Sequence, residues 1–392
     1  MAIGIAIVGS GNFAKEQHLP AVQASTNLQL KAIYSRSLKS AQELASGATA
    51  VDLYSEDSGS GKSYTDLLTR EDIGAVTIAL PILVQPEFIK KALLAGKHVL
   101  SEKPIAKDIA TAQELLQWYQ TNIDTTKVFW AVGENFRYLT KFIFAAEQVR
   151  QLGPVRNFRI NVHSLVKPDN KYYCKFAKGQ GSKDDAFQYL HFCIGFGLTK
   201  TVTAWRKAPE YQGGFLLDGG VHQLAGLRLI LGSADKVTTV SAQSQQQQPY
   251  LPPVDTVDAV VKTSSGATGI ISMSWGSSFN DNIFEFSCEK GVVKLHFDGV
   301  EVNNHDHIVP FDGKGVVPEE ALADLEMLEQ MLQSAERDGE KMPLQWHNPR
   351  FAYAQITLVW VSHRSQPEVF EIDFVPTRQL SNARRDPATP TK

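Results

Sequence analysis

The chain has 392 residues, a length typical of two or three domains that each bury their own core. Hydrophobic residues make up 43% and charged residues 21% of the chain, and the formal net charge is -3 at pH 7. This balance gives no electrostatic reason to expect nucleic acid or an anionic membrane as a partner, so a small-molecule partner is favoured.

Three cysteines, Cys174, Cys193 and Cys288, are too few and too scattered for a disulfide framework or a metal site of recognisable spacing. They indicate a reducing compartment, and we expect a cytoplasmic protein. The apolar start "MAIGIAIVGSG" has no basic segment and runs into a glycine turn, so it predicts a strand rather than a signal peptide. No run approaches about 18 apolar residues, so no transmembrane helix is expected.

The first part of the chain alternates short apolar runs with segments of helical periodicity. The predicted strands are "IGIAIVG", "LQLKAIYS", "GAVTIAL", "KHVLSE" and "VFWAVG". The predicted helices between them are "AKEQHLPAVQAS", "SAQELAS", "PEFIKKALLAG" and "TAQELLQWYQ". This alternation predicts an α/β fold, a doubly wound parallel sheet of the Rossmann type, over residues 1–132.

After about residue 150 the pattern changes to longer strand-like runs joined by glycine or polar turns, as antiparallel neighbours usually are. Residues 133–380 therefore read as an α+β domain. The glutamine-rich stretch "QSQQQQPYLPP" is interpreted as a loop, and the tail 381–392 as disordered.

The first predicted strand runs into a GxGxxA pattern formed by Gly9, Ser10, Gly11, Asn12, Phe13 and Ala14. Gly9 would permit the tight turn, Gly11 would let a pyrophosphate approach the backbone, and the small Ala14 would let the helix pack close to the sheet. The pattern is weak alone, but its place at the first strand-to-helix turn predicts dinucleotide binding rather than a structural turn.

The second predicted strand ends at "YSRS", where a fold specific for NAD usually offers an acidic residue to the ribose 2'-hydroxyl. No acidic residue stands there. Ser35 and Arg36 could instead bind a 2'-phosphate, which favours NADP over NAD. The alternative is that Arg36 is a solvated residue at a strand end.

The stretch "HVLSEKP" ends a later strand at the edge of the sheet where ligands bind in open α/β folds. Lys103 would therefore face the cofactor crevice, and Pro104 would hold its backbone extended. An ammonium there can stabilise the alkoxide that develops during hydride transfer. A surface lysine paired with Glu102 is the alternative. Leu80, Pro81 and Glu102 complete the candidate cofactor contacts.

The stretch "GGFLLDGGVHQLAG" places Asp218 and His222 four residues apart, on one face of a predicted helix. A carboxylate beside a histidine can orient the ring, which suits an acid/base that takes and returns a hydroxyl proton. A packing histidine is the alternative.

In this order, the GxGxxA turn, "SEKP" and "GGFLLDGGVH" resemble the Gfo/Idh/MocA oxidoreductases over nearly the whole chain, with most similarity to fungal NADP-linked members. The resemblance implies a Rossmann domain and a C-terminal domain whose large open, mostly antiparallel sheet supports homodimers or homotetramers. It matches Lys103 to the lysine of the EKP signature, and Asp218 and His222 to the D-x-x-x-H element. "GENFRY" matches a segment near the substrate, which makes Asn135, Arg137 and Tyr138 candidate substrate contacts.

One stretch does not follow the family pattern. Residues 174–201 interrupt it, and we interpret them as a translated, unspliced intron, because "CKF" can be encoded with a splice donor and "LTKTV" with a branch point and an acceptor. A genuine insertion loop is the alternative.

Together these features predict an NADP-dependent oxidoreductase, with NAD as the other candidate cofactor, that acts on a sugar, polyol or small carbonyl compound. No metal is required. Two rival interpretations remain, a dinucleotide-binding regulator that does not turn over substrate and an inactive product of mis-splicing.

Overall fold

The computed structural model describes residues 2–48, 50–168, 209–211, 213–296, 299–303, 305–307 and 370–371. The stretch 174–201, with Cys174 and Cys193, and the tail 381–392 lie outside the described residues.

The amino-terminal part forms a six-stranded parallel sheet in the order β3-β2-β1-β4-β5-β6, as a doubly wound fold requires. Its strands are β1 (Ile3–Val8), β2 (Leu28–Ser35), β3 (Asp52–Ser55), β4 (Ala75–Ile78), β5 (His98–Glu102) and β6 (Trp130–Gly133). The connecting helices are α1 (Leu19–Ala24), α2 (Leu38–Ala45), α3 (Tyr64–Leu68), α4 (Gln85–Leu94) and α5 (Ile109–Asn122). A π-helical turn, Ala14–His18, leads directly into α1. The predicted Rossmann fold is confirmed.

The strands of this sheet have largely apolar sequences because most of their residues are buried. Ile5, Ile7 and Val8 are fully buried, because helices cover both faces of a parallel sheet. The strand β3 was missed by the sequence analysis, since its four residues begin with an exposed aspartate. It lies at the edge of the sheet, where a strand has only one neighbour and its residues need not all be apolar.

The second part forms a nine-stranded sheet within the described residues, in the order β14-β13-β12-β11-β7-β10-β9-β8-β15. Its strands are β7 (Val155–His163), β8 (Val237–Gln245), β9 (Thr256–Thr263), β10 (Thr268–Ser274), β11 (Asp281–Cys288), β12 (Gly291–His296), β13 (Gly299–Val302), β14 (His305–His307) and β15 (Phe370–Glu371). All neighbours are antiparallel except β7 and β10, which are parallel. The predicted mostly antiparallel sheet is confirmed.

Within the described residues, two helices, α6 (Thr140–Leu152) and α7 (Gly214–Leu231), accompany this sheet. Phe142 of α6 meets the ring of Phe284 on β11 edge to face at 5.3 Å. Gly226 of α7 lies so close to Phe142 that a Cβ there would clash with its ring. A glycine is therefore needed where the two helices cross, and this packing fixes the position of α7 over the sheet.

The first three residues of the glutamine-rich stretch end β8, so the predicted loop begins only after Gln245, and it is held by the fully buried Asp255. Its carboxylate accepts hydrogen bonds from the backbone N–H groups of Gln247 and Gln248 and from the hydroxyl of Thr256. These donors compensate the burial of the charge. The loop returns to the start of α7, where a Cβ at Gly214 would meet the carbonyl oxygen of Pro252 at 2.5 Å.

Candidate active site

The glycine turn after β1 has the two environments that dinucleotide binding requires. Gly9 has a φ of 109°, and a Cβ there would clash with the carbonyl oxygen of Ala79. A Cβ built at Gly11 meets no described atom within 4 Å, so the backbone is open to an approaching group. Ala14 is fully buried. The turn thus fits a pyrophosphate at Gly11 and close packing at Ala14.

Ser35 and Arg36, the candidate contacts for a 2'-phosphate on the ribose, lie beside this turn. The hydroxyl of Ser10 is 2.7 Å from the hydroxyl of Ser35 at the end of β2. Arg36, the next residue, is exposed. Ser37 caps α2 by accepting a hydrogen bond from the backbone N–H of Ser40. The structure therefore brings the ends of β1 and β2 together, as the sequence predicts.

Four other candidate cofactor contacts, Phe13, Leu80, Pro81 and Glu102, lie at the same edge. Leu80 and Pro81 follow β4, and Leu80 Cδ2 lies 3.4 Å from the Cβ position built on Gly9. The ring of Phe13 meets that of His18 edge to face at 5.3 Å. His18 is buried, and its Nε2 lies 2.9 Å from Oε1 of Glu102. His18, at the end of the helical turn that follows the glycine turn, thereby fixes the side chain of Glu102, which directly precedes Lys103.

Both the ammonium of Lys103 and the backbone around it are held by hydrogen bonds. Its Nζ donates a hydrogen bond to the carbonyl oxygen of Asp218 at 3.0 Å and lies 3.4 Å from the carboxylate Oδ1 of the same residue. The amide of Gln85 donates to the carbonyl oxygens of Glu102 and Pro104 at 2.6 and 3.1 Å, and so holds the peptide on each side of Lys103. The lysine is thus an enclosed ammonium, with a side chain 13% exposed, and the structure does not pair it with Glu102 as the alternative interpretation held.

His222 lies one helical turn after Asp218 on α7, about 6 Å along the helix axis. Its Nδ1 is 2.7 Å from Oε1 of Glu134, and its ring stacks on Phe136 with 4.9 Å between ring centroids. The same Oε1 accepts the backbone N–H of Phe136 at 3.2 Å. Because a carboxylate only accepts, a hydrogen on Nδ1 must point to Glu134, which leaves Nε2 as the nitrogen for a substrate proton.

This arrangement corrects the sequence analysis, which gave Asp218 the role of orienting His222. The structure gives the hydrogen bond at Nδ1 to Glu134 and places the Asp218 carboxylate beside Lys103. Glu134 was missed although it directly follows β6, at the edge of the sheet where the other site residues lie. Gln85 was also missed.

The candidate substrate residues follow Glu134 in a short 3₁₀ turn, Asn135–Arg137. Asn135 is 4% exposed, and its Oδ1 has no hydrogen-bond partner among the described residues. Burial lowers the pKa of Arg137. Arg137 and Tyr138 are half-buried. The structure thus places this segment next to His222 through Glu134 and Phe136.

Other site types find no support in the described part of the chain. No group of three or more His, Cys, Asp or Glu side chains is arranged to hold a metal ion there. Within the same residues, no helix combines the length and the hydropathy needed to span a bilayer. Cys288 is buried, which raises the pKa of its thiol.

Comparison with known proteins agrees with this fold over both parts of the chain. A family model described as "Oxidoreductase family, NAD-binding Rossmann fold" matches residues 3–128, and one described as "GFO/IDH/MocA C-terminal domain" matches residues 188–294. The dehydrogenase FPY6 of Fusarium mangiferae is 42% identical over 278 residues, which cover 70% of this chain and 71% of the relative.

Two further relatives are more distant. The scyllo-inositol 2-dehydrogenase (NADP(+)) IolU of Bacillus subtilis is 25% identical over 235 residues, 60% of each chain. Among solved structures, an oxidoreductase from Thermotoga maritima has a TM-score of 0.74 and 26% identity, and the match covers 95% of this chain and 98% of that one. Both parts of the fold are therefore found together in known oxidoreductases.

Proposed function

Because this chain belongs to the Gfo/Idh/MocA family of oxidoreductases, we propose that it transfers a hydride between a nicotinamide dinucleotide and a carbon that bears a hydroxyl or carbonyl group. The substrate class is a sugar, polyol or related small carbonyl compound, which the similarity to an inositol dehydrogenase supports. The observation that carries the proposal is the contact of Lys103 with Asp218, which joins the cofactor edge of the sheet to α7 and His222.

The bound nicotinamide would supply or accept the hydride. Lys103 Nζ would hydrogen-bond the substrate oxygen and stabilise the negative charge that develops on it. His222 Nε2 would give a proton to that oxygen or take one from it. Asp218 would hold the ammonium of Lys103, and Glu134 would hold the imidazole of His222 by its Nδ1.

The proposed site consists of three groups of residues. The catalytic residues are Lys103, Asp218 and His222. The substrate contacts are Asn135, Arg137 and Tyr138. The cofactor contacts are Gly9, Ser10, Gly11, Asn12, Phe13, Ser35, Arg36, Leu80, Pro81, Glu102 and Lys103. They divide between a cofactor domain at 1–132 and a substrate domain at 133–380.

NADP is the proposed cofactor, because Ser35 and Arg36 stand where a 2'-phosphate would bind. We expect titration of protein or cofactor fluorescence to give tighter binding of NADPH than of NADH. Arg36→Ala should weaken NADPH by about tenfold and leave NADH nearly unchanged, since only NADPH carries the phosphate.

The control for this titration is Arg156→Ala, which removes another exposed arginine side chain, paired with Glu289 in the second domain. It should change neither affinity. If the wild-type protein bound neither nucleotide, the proposed oxidoreductase function would be wrong. If Arg36→Ala left NADPH binding intact, Arg36 would be the solvated residue of the alternative interpretation.

We also propose that the protein is a homodimer or homotetramer, joined through the outer face of the second sheet. Val260 on β9 and Ile270 on β10 are direct cross-strand neighbours on that face and are 59% and 48% exposed. Adjacent exposed aliphatic side chains on a sheet favour burial against a second subunit.

Light scattering after size exclusion should show that Ile270→Glu lowers the molecular mass to that of a monomer. Leu94→Glu, which changes an exposed leucine at the end of α4, should leave the mass unchanged and is the control.

A further inference from the structure

A carboxylate reaches the turn between β2 and α2 from the neighbouring strand. Asp57 follows β3, and its Oδ1 accepts hydrogen bonds from the backbone N–H of Leu38 at 2.7 Å and from the hydroxyl of Ser55 at 2.6 Å. Leu38 is the first residue of α2. In the register of β2 and β3, Ser55 lies opposite Ser35, so Asp57 reaches the segment that holds Ser35 and Arg36.

This position is where cofactor selectivity is decided in a doubly wound fold. An acidic side chain at the end of β2 bonds the ribose 2'-hydroxyl of NAD, and a cationic one accommodates the 2'-phosphate of NADP. Here β2 itself ends without an acid, yet β3 supplies one to the same turn. Asp57 lies 21 residues beyond Arg36 in sequence, so no local pattern at the end of β2 marks it.

The carboxylate uses a donor that a phosphate would need. The first N–H groups of a helix have no partner within the helix, and they bind anions readily. Asp57 occupies the first of those in α2, at Leu38, and a phosphate oxygen cannot accept the same hydrogen at the same time. The hydrogen bonds from Ser55 and from the Leu38 backbone lower the pKa of Asp57, so the group is charged at neutral pH.

A second carboxylate adds to the negative potential. Glu56 precedes Asp57 and accepts a hydrogen bond from the hydroxyl of Tyr34 at 3.1 Å. Tyr34 lies directly before Ser35 on β2. Two acidic side chains that follow β3 therefore lie near Ser35 and Arg36, the residues that would bind a phosphate. Among the described hydrogen bonds, Asp57 bonds the start of α2 and Glu56 does not.

We propose that Asp57 is a cofactor-selecting residue, which limits the preference for NADP set by Ser35 and Arg36 and keeps NAD usable. Its carboxylate opposes a 2'-phosphate by repulsion and by holding the Leu38 N–H, and it has no such conflict with a ribose hydroxyl. This inference rests on the proposed dinucleotide site.

The test is a titration of NADPH and NADH against the full-length wild type and Asp57→Asn. The variant keeps a side-chain oxygen for the Leu38 N–H and removes the charge. We expect the dissociation constant of NADPH to fall by about three- to tenfold, as the loss of one nearby like charge predicts, with NADH binding unchanged or weaker. Added salt should narrow the difference for NADPH, because it screens exposed charges.

Asp124→Asn is the matched control. Asp124 is also an exposed carboxylate, bonded by the hydroxyl of Thr126 at 2.6 Å and by a backbone N–H, and hydrogen bonds from Thr126 lower its pKa as well. It precedes β6 and thus lies at the amino ends of the strands, away from the crevice. Its substitution should change neither affinity.

The outcomes separate the two proposals. If the wild type binds both nucleotides and Asp57→Asn leaves their ratio unchanged, or if Asp124→Asn changes that ratio equally, the role of Asp57 is wrong and the oxidoreductase proposal stands. If the wild type binds neither nucleotide, both are wrong. A thermal melting temperature close to that of the wild type shows that the variant is folded.

Discussion

Lys103→Met should lower kcat for the oxidation or reduction of the substrate, measured at saturating nucleotide, by about 10³-fold or more, so that a weaker nucleotide contact at Lys103 does not account for the loss. Methionine keeps an unbranched side chain in the enclosed space but removes the ammonium that Asp218 holds. The negative charge that develops on the substrate oxygen would then lack the ammonium that we propose stabilises it. Steady-state rates with NADPH and a panel of sugars and polyols provide the measurement.

Lys107→Met is the control for this result. Lys107 belongs to the same loop after β5, but its side chain is 45% exposed and lies beside Asp108. It should retain full activity. If Lys103→Met turned over substrate as fast as the wild type, the catalytic assignment would fail, and a non-catalytic dinucleotide-binding regulator would become the better interpretation of the same fold.

The Rossmann part was largely predictable because its signals are local. The run "LQLKAIYS" matches β2 residue by residue, and the glycine turn lies between β1 and the first helical turn as expected. The last five residues of β1 are buried and form an apolar run that marks the strand, and the buried second half of β2 adds to the same signal. The edge strand β3 was missed because it has only four residues, of which the first is exposed and the second half-buried, so no apolar run marks it.

The second sheet was predictable in class but not in pairing. Sequence neighbours such as β11 and β12 pair as expected of antiparallel strands joined by a tight turn. The central pair, β7 and β10, is parallel and joins residues more than a hundred positions apart. Nothing local specifies that contact, since it depends on how α7 and the intervening strands cross the domain.

The same limit applies to the site. The spacing of Asp218 and His222 correctly places them one turn apart on α7, but the hydrogen bonds connect each of them to a distant segment. Glu134 is 88 residues from His222 in sequence, and Lys103 is 115 from Asp218. The ends of parallel strands meet at one edge, so the position of Glu134 after β6 was the available signal.

Glu134 leads to the second large expected effect. We expect Glu134→Ala to lower kcat by about 10²-fold with little change in KM, because His222 loses the acceptor that fixes its tautomer and the charge that stabilises its protonated form. Glu134→Gln should retain more activity than Glu134→Ala. Its amide oxygen can still accept from the Phe136 N–H, as Oε1 of the carboxylate does, and this contact directs the oxygen toward Nδ1 of His222.

The order of kcat in these two variants distinguishes the positioning of His222 by residue 134 from a general loss of stability. Glu134 is buried, so a loss of stability alone would lower the amount of active enzyme, and with it the apparent kcat at unchanged KM, in either variant. Thermal melting and NADPH titration of each variant correct for that effect, and Glu147→Gln on the exposed side of α6 is the matched control. Wild-type kcat in Glu134→Ala would exclude a role for this carboxylate. Equal losses in both variants would instead assign the effect to its negative charge, since glutamine preserves the acceptor but carries no charge.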